Sequence, residues 1–124
     1  MNAHLSATYN RSNFKGLIMK LRLSTLELHS SVDRLETYRV TLGTGSHTGI
    51  HHHPGGVVGV VIAGTVIFER SGEVETLRAG DAFVERPGAA IERFDNASDR
   101  EPAVFIAHYI LQGNQPLLVP GAAS

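Results

Sequence analysis

Gly49-Ile50-His51-His52-His53-Pro54-Gly55-Gly56 runs into Val57-Val58-Gly59-Val60-Val61-Ile62 and closes on Ala63-Gly64, which sets three of the chain's seven histidines at the head of a β-branched apolar run. In extended backbone successive side chains alternate between faces, so His51 and His53 share one side and His52 points to the other. Two imidazoles on one face begin a site for a first-row divalent ion, which then needs ligands from other strands to complete its shell. An isolated HxH is equally a solvated loop end. The rest of the chain has to decide between the two.

Upstream, Arg34 to Leu42 alternates, with Leu35, Thr37, Arg39 and Thr41 on one side and Glu36, Tyr38, Val40 and Leu42 on the other, the pattern of a half-buried strand. Downstream, Thr65–Arg70 and Glu73–Leu77 flank the Ser71-Gly72 turn as a hairpin. Strands are expected at Ala82–Glu85 after Ala79-Gly80-Asp81, at Ile91–Phe94 after Arg86-Pro87-Gly88, and at Ala103–Leu111 after Pro102, with Asp95–Asp99 as a turn. Turn signals at intervals of about eight to twelve residues predict an all-β, antiparallel sandwich or barrel. One segment, Leu23 to Leu35, reads as helix-like, with Ser24 and Thr25 as candidate caps.

A chain of 124 residues holds one ordinary domain. Residues 1–30 are expected to form an N-terminal arm, partly disordered or exchanged with a partner subunit, residues 31–115 the β-domain, and residues 116–124 a tail. Met19 is an alternative start. A net charge of −1 with no Lys/Arg cluster leaves no field for a phosphate backbone, which argues against nucleic-acid binding. The absence of cysteine excludes disulfides, thiolate metal sites and a cysteine nucleophile, so a bound metal must use imidazole, carboxylate and water. The apolar runs are of strand length, too short to span a bilayer, and the first eighteen residues lack the apolar core of a signal peptide. A cytoplasmic homodimer is expected, the apolar residues among 20–28 and the sheet edges being covered by the partner.

The histidine stretch resembles the first motif of the cupin superfamily, G(X)5HXH(X)3,4E(X)6G: Gly45, His51, His53 and Gly64 match, and Val57 stands where the glutamate belongs. Gly80 through Asn96, with Pro87-Gly88, is similar to the second motif, G(X)5–7PXG(X)2H(X)3N. Its histidine is replaced by Ile91 when counted from Gly88 and by Glu92 when counted from Asn96. The resemblance covers residues 35–115. It implies a jelly-roll β-barrel holding a divalent transition metal (Fe, Mn, Ni or Zn), usually as a dimer.

Ile91 and Glu92 cannot both face the interior, because a one-residue shift moves a side chain to the other face. With Glu92 inward, His51, His53 and Glu92 make a 2-His-1-carboxylate set with open positions; with Ile91 inward, only two histidines remain. Glu92 is taken as the third ligand, its other use being a surface pair with Arg93 or Arg86. In the last strand Val104, Ile106, His108 and Ile110 form one face and Phe105, Ala107, Tyr109 and Leu111 the other, both apolar enough to be buried. His108 is a further ligand candidate, and His108, Tyr109 and Glu85 are candidates for proton transfer. His47 is expected to be exposed, and His4 and His29 are given no role. Two functions follow: metal-assisted chemistry on a small organic molecule, as in a dioxygenase or isomerase, or a non-catalytic ligand-binding or sensing cupin with a degenerate site.

Overall fold

The computed structural model describes residues 7–10 and 18–123. Their regular structure is entirely β: β1 Ala7–Asn10, β2 Ile18–Leu21, β3 Arg34–Leu42, β4 His51–His52, β5 Val57–Ala63, β6 Thr65–Arg70, β7 Glu73–Arg78, β8 Ala82–Glu85, β9 Arg93–Asn96, β10 Ala103–Leu111 and β11 Val119–Pro120. The helix expected over Leu23–Leu35 does not form. Residues 22–33 have no regular structure and β3 begins at Arg34. The leucines of that segment do not repeat as a helical stripe, Leu23 and Leu28 stay exposed, and a short helix with no packed face is marginal in water.

Two antiparallel sheets carry the domain, one in the order β3-β10-β5-β8 and the other β7-β6-β9. β10 pairs with β3 from Ala103↔Leu42 to Leu111↔Arg34, and its other edge takes β5. The chain passes between the sheets at Gly64, whose φ of +76° and whose would-be Cβ, 2.6 Å from the Pro102 carbonyl oxygen, both require glycine. That geometry gives the motif's closing glycine its reason.

The core lies between the sheets. Val57, Val61, Phe83, Phe105 and Ala107 of the larger sheet meet Val66, Phe68, Leu77 and Phe94 of the smaller one. The phenylalanine rings interlock, edge to face in Phe94–Phe105 and Phe68–Phe94 with centroids 4.9 and 5.4 Å apart, and tilted in Phe83–Phe94 at 4.9 Å. Alternation along β10 puts Ala103, Phe105 and Ala107 into this core and leaves Val104, Ile106 and His108 half-buried on the outer face. Both faces were expected to be buried: the inner one is core, and on the outer one only Ile110 is buried, the residues before it being half-covered. β9 is displaced from the expected Ile91–Phe94, because Ile91 leaves it to bridge His51.

Candidate metal centre

β4 is only two residues long, yet its backbone is fixed on both edges. His51 exchanges hydrogen bonds with Ile91 at 3.0 and 2.8 Å, and β11 pairs with the opposite edge, Val119 facing His52. The His53 carbonyl accepts from Gly56 and Gly88 N–H at 3.2 and 2.9 Å, which secures the Pro54-Gly55-Gly56 turn. Each imidazole then meets a backbone carbonyl through Nδ1: His51 on Gly49 at 2.9 Å, His53 on Leu117 at 2.7 Å, and His52, on the other side, on Gly121 at 2.8 Å. A carbonyl only accepts, so Nδ1 carries the proton in each ring. Nε2 of His51 and of His53 is the nitrogen left with a lone pair that could coordinate.

The carboxylate comes from β8. Glu85 is the cross-strand partner of Val57, so the acid missing from Val57 is supplied one strand over, on the same rung of the ladder. Its Oε2 lies 2.7 Å from His53 Nε2. His51, His53 and Glu85 are 3%, 5% and 3% exposed, and one ligand atom from each falls within 4.8 Å of the others. Two neutral imidazoles and one carboxylate, buried and converging, are a donor set suited to a divalent transition ion. A buried carboxylate also needs a positive partner. Burial disfavours the charged form of His53, but the hydrogen bond and charge of Glu85 outweigh it and raise the imidazole above its ordinary pKa. A proton between these two groups thus stands in for a cation.

Of the other residues singled out by sequence, Tyr109 belongs to this site. Its ring centroid is 5.5 Å from that of His53, and burial followed by the nearby Glu85 charge holds its hydroxyl above the usual phenol range. His108 does not. It occupies the outer face of β10 with Nδ1 2.7 Å from Thr37 Oγ1. Glu92, expected as the third ligand, lies elsewhere too: its carboxyl group accepts from Gly72 N–H at 3.3 Å and hydrogen-bonds Glu69, raising the pKa of Glu69. The reason is register. Ile91 bonds β4 and takes the inward side with no exposed area, which turns its neighbour Glu92 outward. The sequence offers Glu85 as a proton-transfer group, and alternation with the inward Phe83 is the local signal that fits its buried place here.

Sequence also passed over Asp95, read as part of a turn. It is buried and ties down the loop that delivers β4: Oδ1 accepts from Thr48 N–H at 3.0 Å, and Oδ2 faces His47 Nδ1 at 3.0 Å and Arg93 Nε at 3.1 Å. Burial works to raise its pKa, but the bonds from His47, Thr48 and Arg93 prevail and hold it below the ordinary carboxylate range. A carboxylate with a depressed folded-state pKa stabilises the fold above its unfolded value near 4, and that contribution disappears as pH falls through the folded value. Asp95→Asn is expected to cost about 1–3 kcal/mol at pH 7, with the gap from the parent closing in acid, as read from urea melts across pH.

Two facing antiparallel β-sheets around an interior His-His-Glu group that could hold a metal ion define the class, an all-β two-sheet protein with a candidate metal site. The family model described as Cupin domain matches residues 38–109, more than half of the chain, and the chain belongs to the cupin family. No curated protein sequence matches it closely. Among solved structures, a conserved protein from Klebsiella pneumoniae with a double-stranded β-helix domain is similar at 23% identity and TM-score 0.58, covering 77% of this chain and 80% of that one. A cupin-like protein from Thermotoga maritima, also 23% identical, superposes with TM-score 0.59 over 72% of this chain and 65% of its own. An oxalate oxidase in complex with the substrate analogue glycolate, 22% identical with TM-score 0.57, is covered over 45% of its length by 68% of this chain. These likenesses concern the fold. Among the described residues no helix is long and apolar enough to cross a membrane.

Proposed function

We propose that this chain is a metal-binding cupin in which His51, His53 and Glu85 hold a divalent transition metal, and that the sheets close around it as a jelly-roll barrel taking a small organic molecule. The convergence of three buried ligand atoms within 4.8 Å carries the reading. When bound, the ion supplies Lewis acidity, or a position for oxygen, on the side its protein ligands leave open. The chain's own residues do the rest. Val57 and Ile91, 2% and 0% exposed, put apolar side chains where the family motifs carry ligands, which keeps coordination positions free and the surroundings dry. Tyr109, kept protonated near neutral pH, offers a hydroxyl donor beside His53.

Elemental analysis of protein purified without a histidine tag tests this reading. Close to one transition-metal ion per chain is expected, and a metal-free protein that also takes up none on dialysis against Fe, Mn, Ni or Zn would overturn it. The loss of both motif ligands at Val57 and Ile91 favours a second reading, a non-catalytic ligand-binding or sensing cupin, for which that metal-free result is the expected outcome. A homodimer is the proposed assembly, because Met19, Leu21, Leu23, Leu28 and Leu35 are exposed and apolar.

A further inference from the structure

We infer that the C-terminal segment Leu117–Gly121 is a positioning strap for the metal centre, holding His53 in the one tautomer that presents Nε2 to the ion; this rests on the metal reading above. The chain leaves β10 into a turn tied at several points. Gly113 N–H donates to Asp33 Oδ2 at 2.6 Å, Arg34 donates to the Gly113 carbonyl, and Gln115 Oε1 accepts from Gln112 N–H at 2.8 Å. The segment then returns across β4, where Val119 pairs with His52, Pro120 with His51, and Gly121 N–H reaches the Ile50 carbonyl at 2.8 Å.

Two of its carbonyls end on histidine rings, Leu117 on His53 and Gly121 on His52. Leu117 is the important one. The proton that His53 Nε2 shares with Glu85 across 2.7 Å must leave for an ion to bind, and the one that stays must then lie on Nδ1; without an acceptor there the neutral imidazole keeps its proton on Nε2, against Glu85, and the coordinating position stays closed. His51 needs no such help, because its acceptor, Gly49, is two residues away in its own loop. The two ligands of the HxH are therefore tuned from different places, one locally and one from 64 residues further along the chain.

The weak point of the strap is a single backbone donor. His51 spends its backbone bonds on Ile91, and Gly121 N–H bonds Ile50, so ladder alternation assigns Val119 N–H to the His52 carbonyl. Val119→Pro deletes that donor and Val119→Ala keeps it. Ring 15N–1H correlation spectra of the metal-free full chain should show His53 protonated at Nδ1 in the parent and in Val119→Ala, and not in Val119→Pro. Zinc affinity, measured by chelator competition, should fall about 10- to 100-fold in Val119→Pro alone, the usual size of an outer-shell loss. Melting of the metal-free variant reports separately on the core.

A Val119→Pro protein that keeps the Nδ1 proton on His53, or that loses it yet binds zinc like the parent, would overturn the inference. If the parent binds no metal, the metal reading fails, while the tautomer comparison still tests the strap by itself.

Discussion

The double variant His51→Ala, His53→Ala is expected to retain no metal, and Glu85→Gln to lose affinity by more than the roughly 10- to 100-fold typical of outer-shell changes, while Glu92→Gln binds like the parent. The contrast between the two glutamates is the informative part. They lie seven positions apart, and the sequence offers Glu92 as the ligand and Glu85 only for proton transfer, but it is Glu85 that shares a buried pocket with the histidines. Gln preserves the shape and some hydrogen bonding of Glu85 while removing the charge that a divalent ion needs. At Glu92 the same change touches only Glu69 and the Gly72 turn. Chelator competition on the four proteins decides the matter. Parental affinity in Glu85→Gln would remove Glu85 from the shell.

Phe83→Ala is expected to be the most destabilising single truncation in the core, costing about 3–5 kcal/mol. Phe83 is 1% exposed and its ring meets those of Phe68, Phe94 and Phe105. It also covers Gly59, its cross-strand partner: a Cβ added at Gly59 would lie 2.3 Å from Phe83 Cζ. Removing the ring opens a cavity at the junction of the two sheets and uncovers a strand residue with no side chain to fill it. Against a total stability of about 5–15 kcal/mol, the midpoint should drop by roughly 10–20 °C, measured by calorimetry. A drop of only a few degrees would mean that the rings do not interlock as described.

Most of the strand order was legible because turn glycines and alternating side chains are local signals. Residues 34–42, 65–70, 82–85 and 103–111 form strands over the expected bounds. The HxH geometry was legible for the same reason. The carboxylate of the candidate group was not, since counting along the second motif cannot say whether Ile91 or Glu92 bonds β4; that is set by a bridge between positions 40 residues apart. Glu85 joins the site through the β5–β8 pairing, which is equally non-local. Residues 112–121 carried no readable pattern, because their contacts with the histidines run through backbone carbonyls, which any residue possesses. Asp95 looked like a turn acid because its burial depends on a loop almost fifty residues earlier.

The ring contacts around Tyr109 have a practical side. The chain has no tryptophan and three tyrosines, and one of them, Tyr109, packs against His53 while a second, Tyr38, meets Tyr109 edge-on with centroids 5.5 Å apart. Nearly all ultraviolet emission of the protein therefore originates from few fluorophores, one of them beside His53 and a second in contact with the first. An open-shell ion arriving there would quench them, so occupancy can be followed optically on the unlabelled chain.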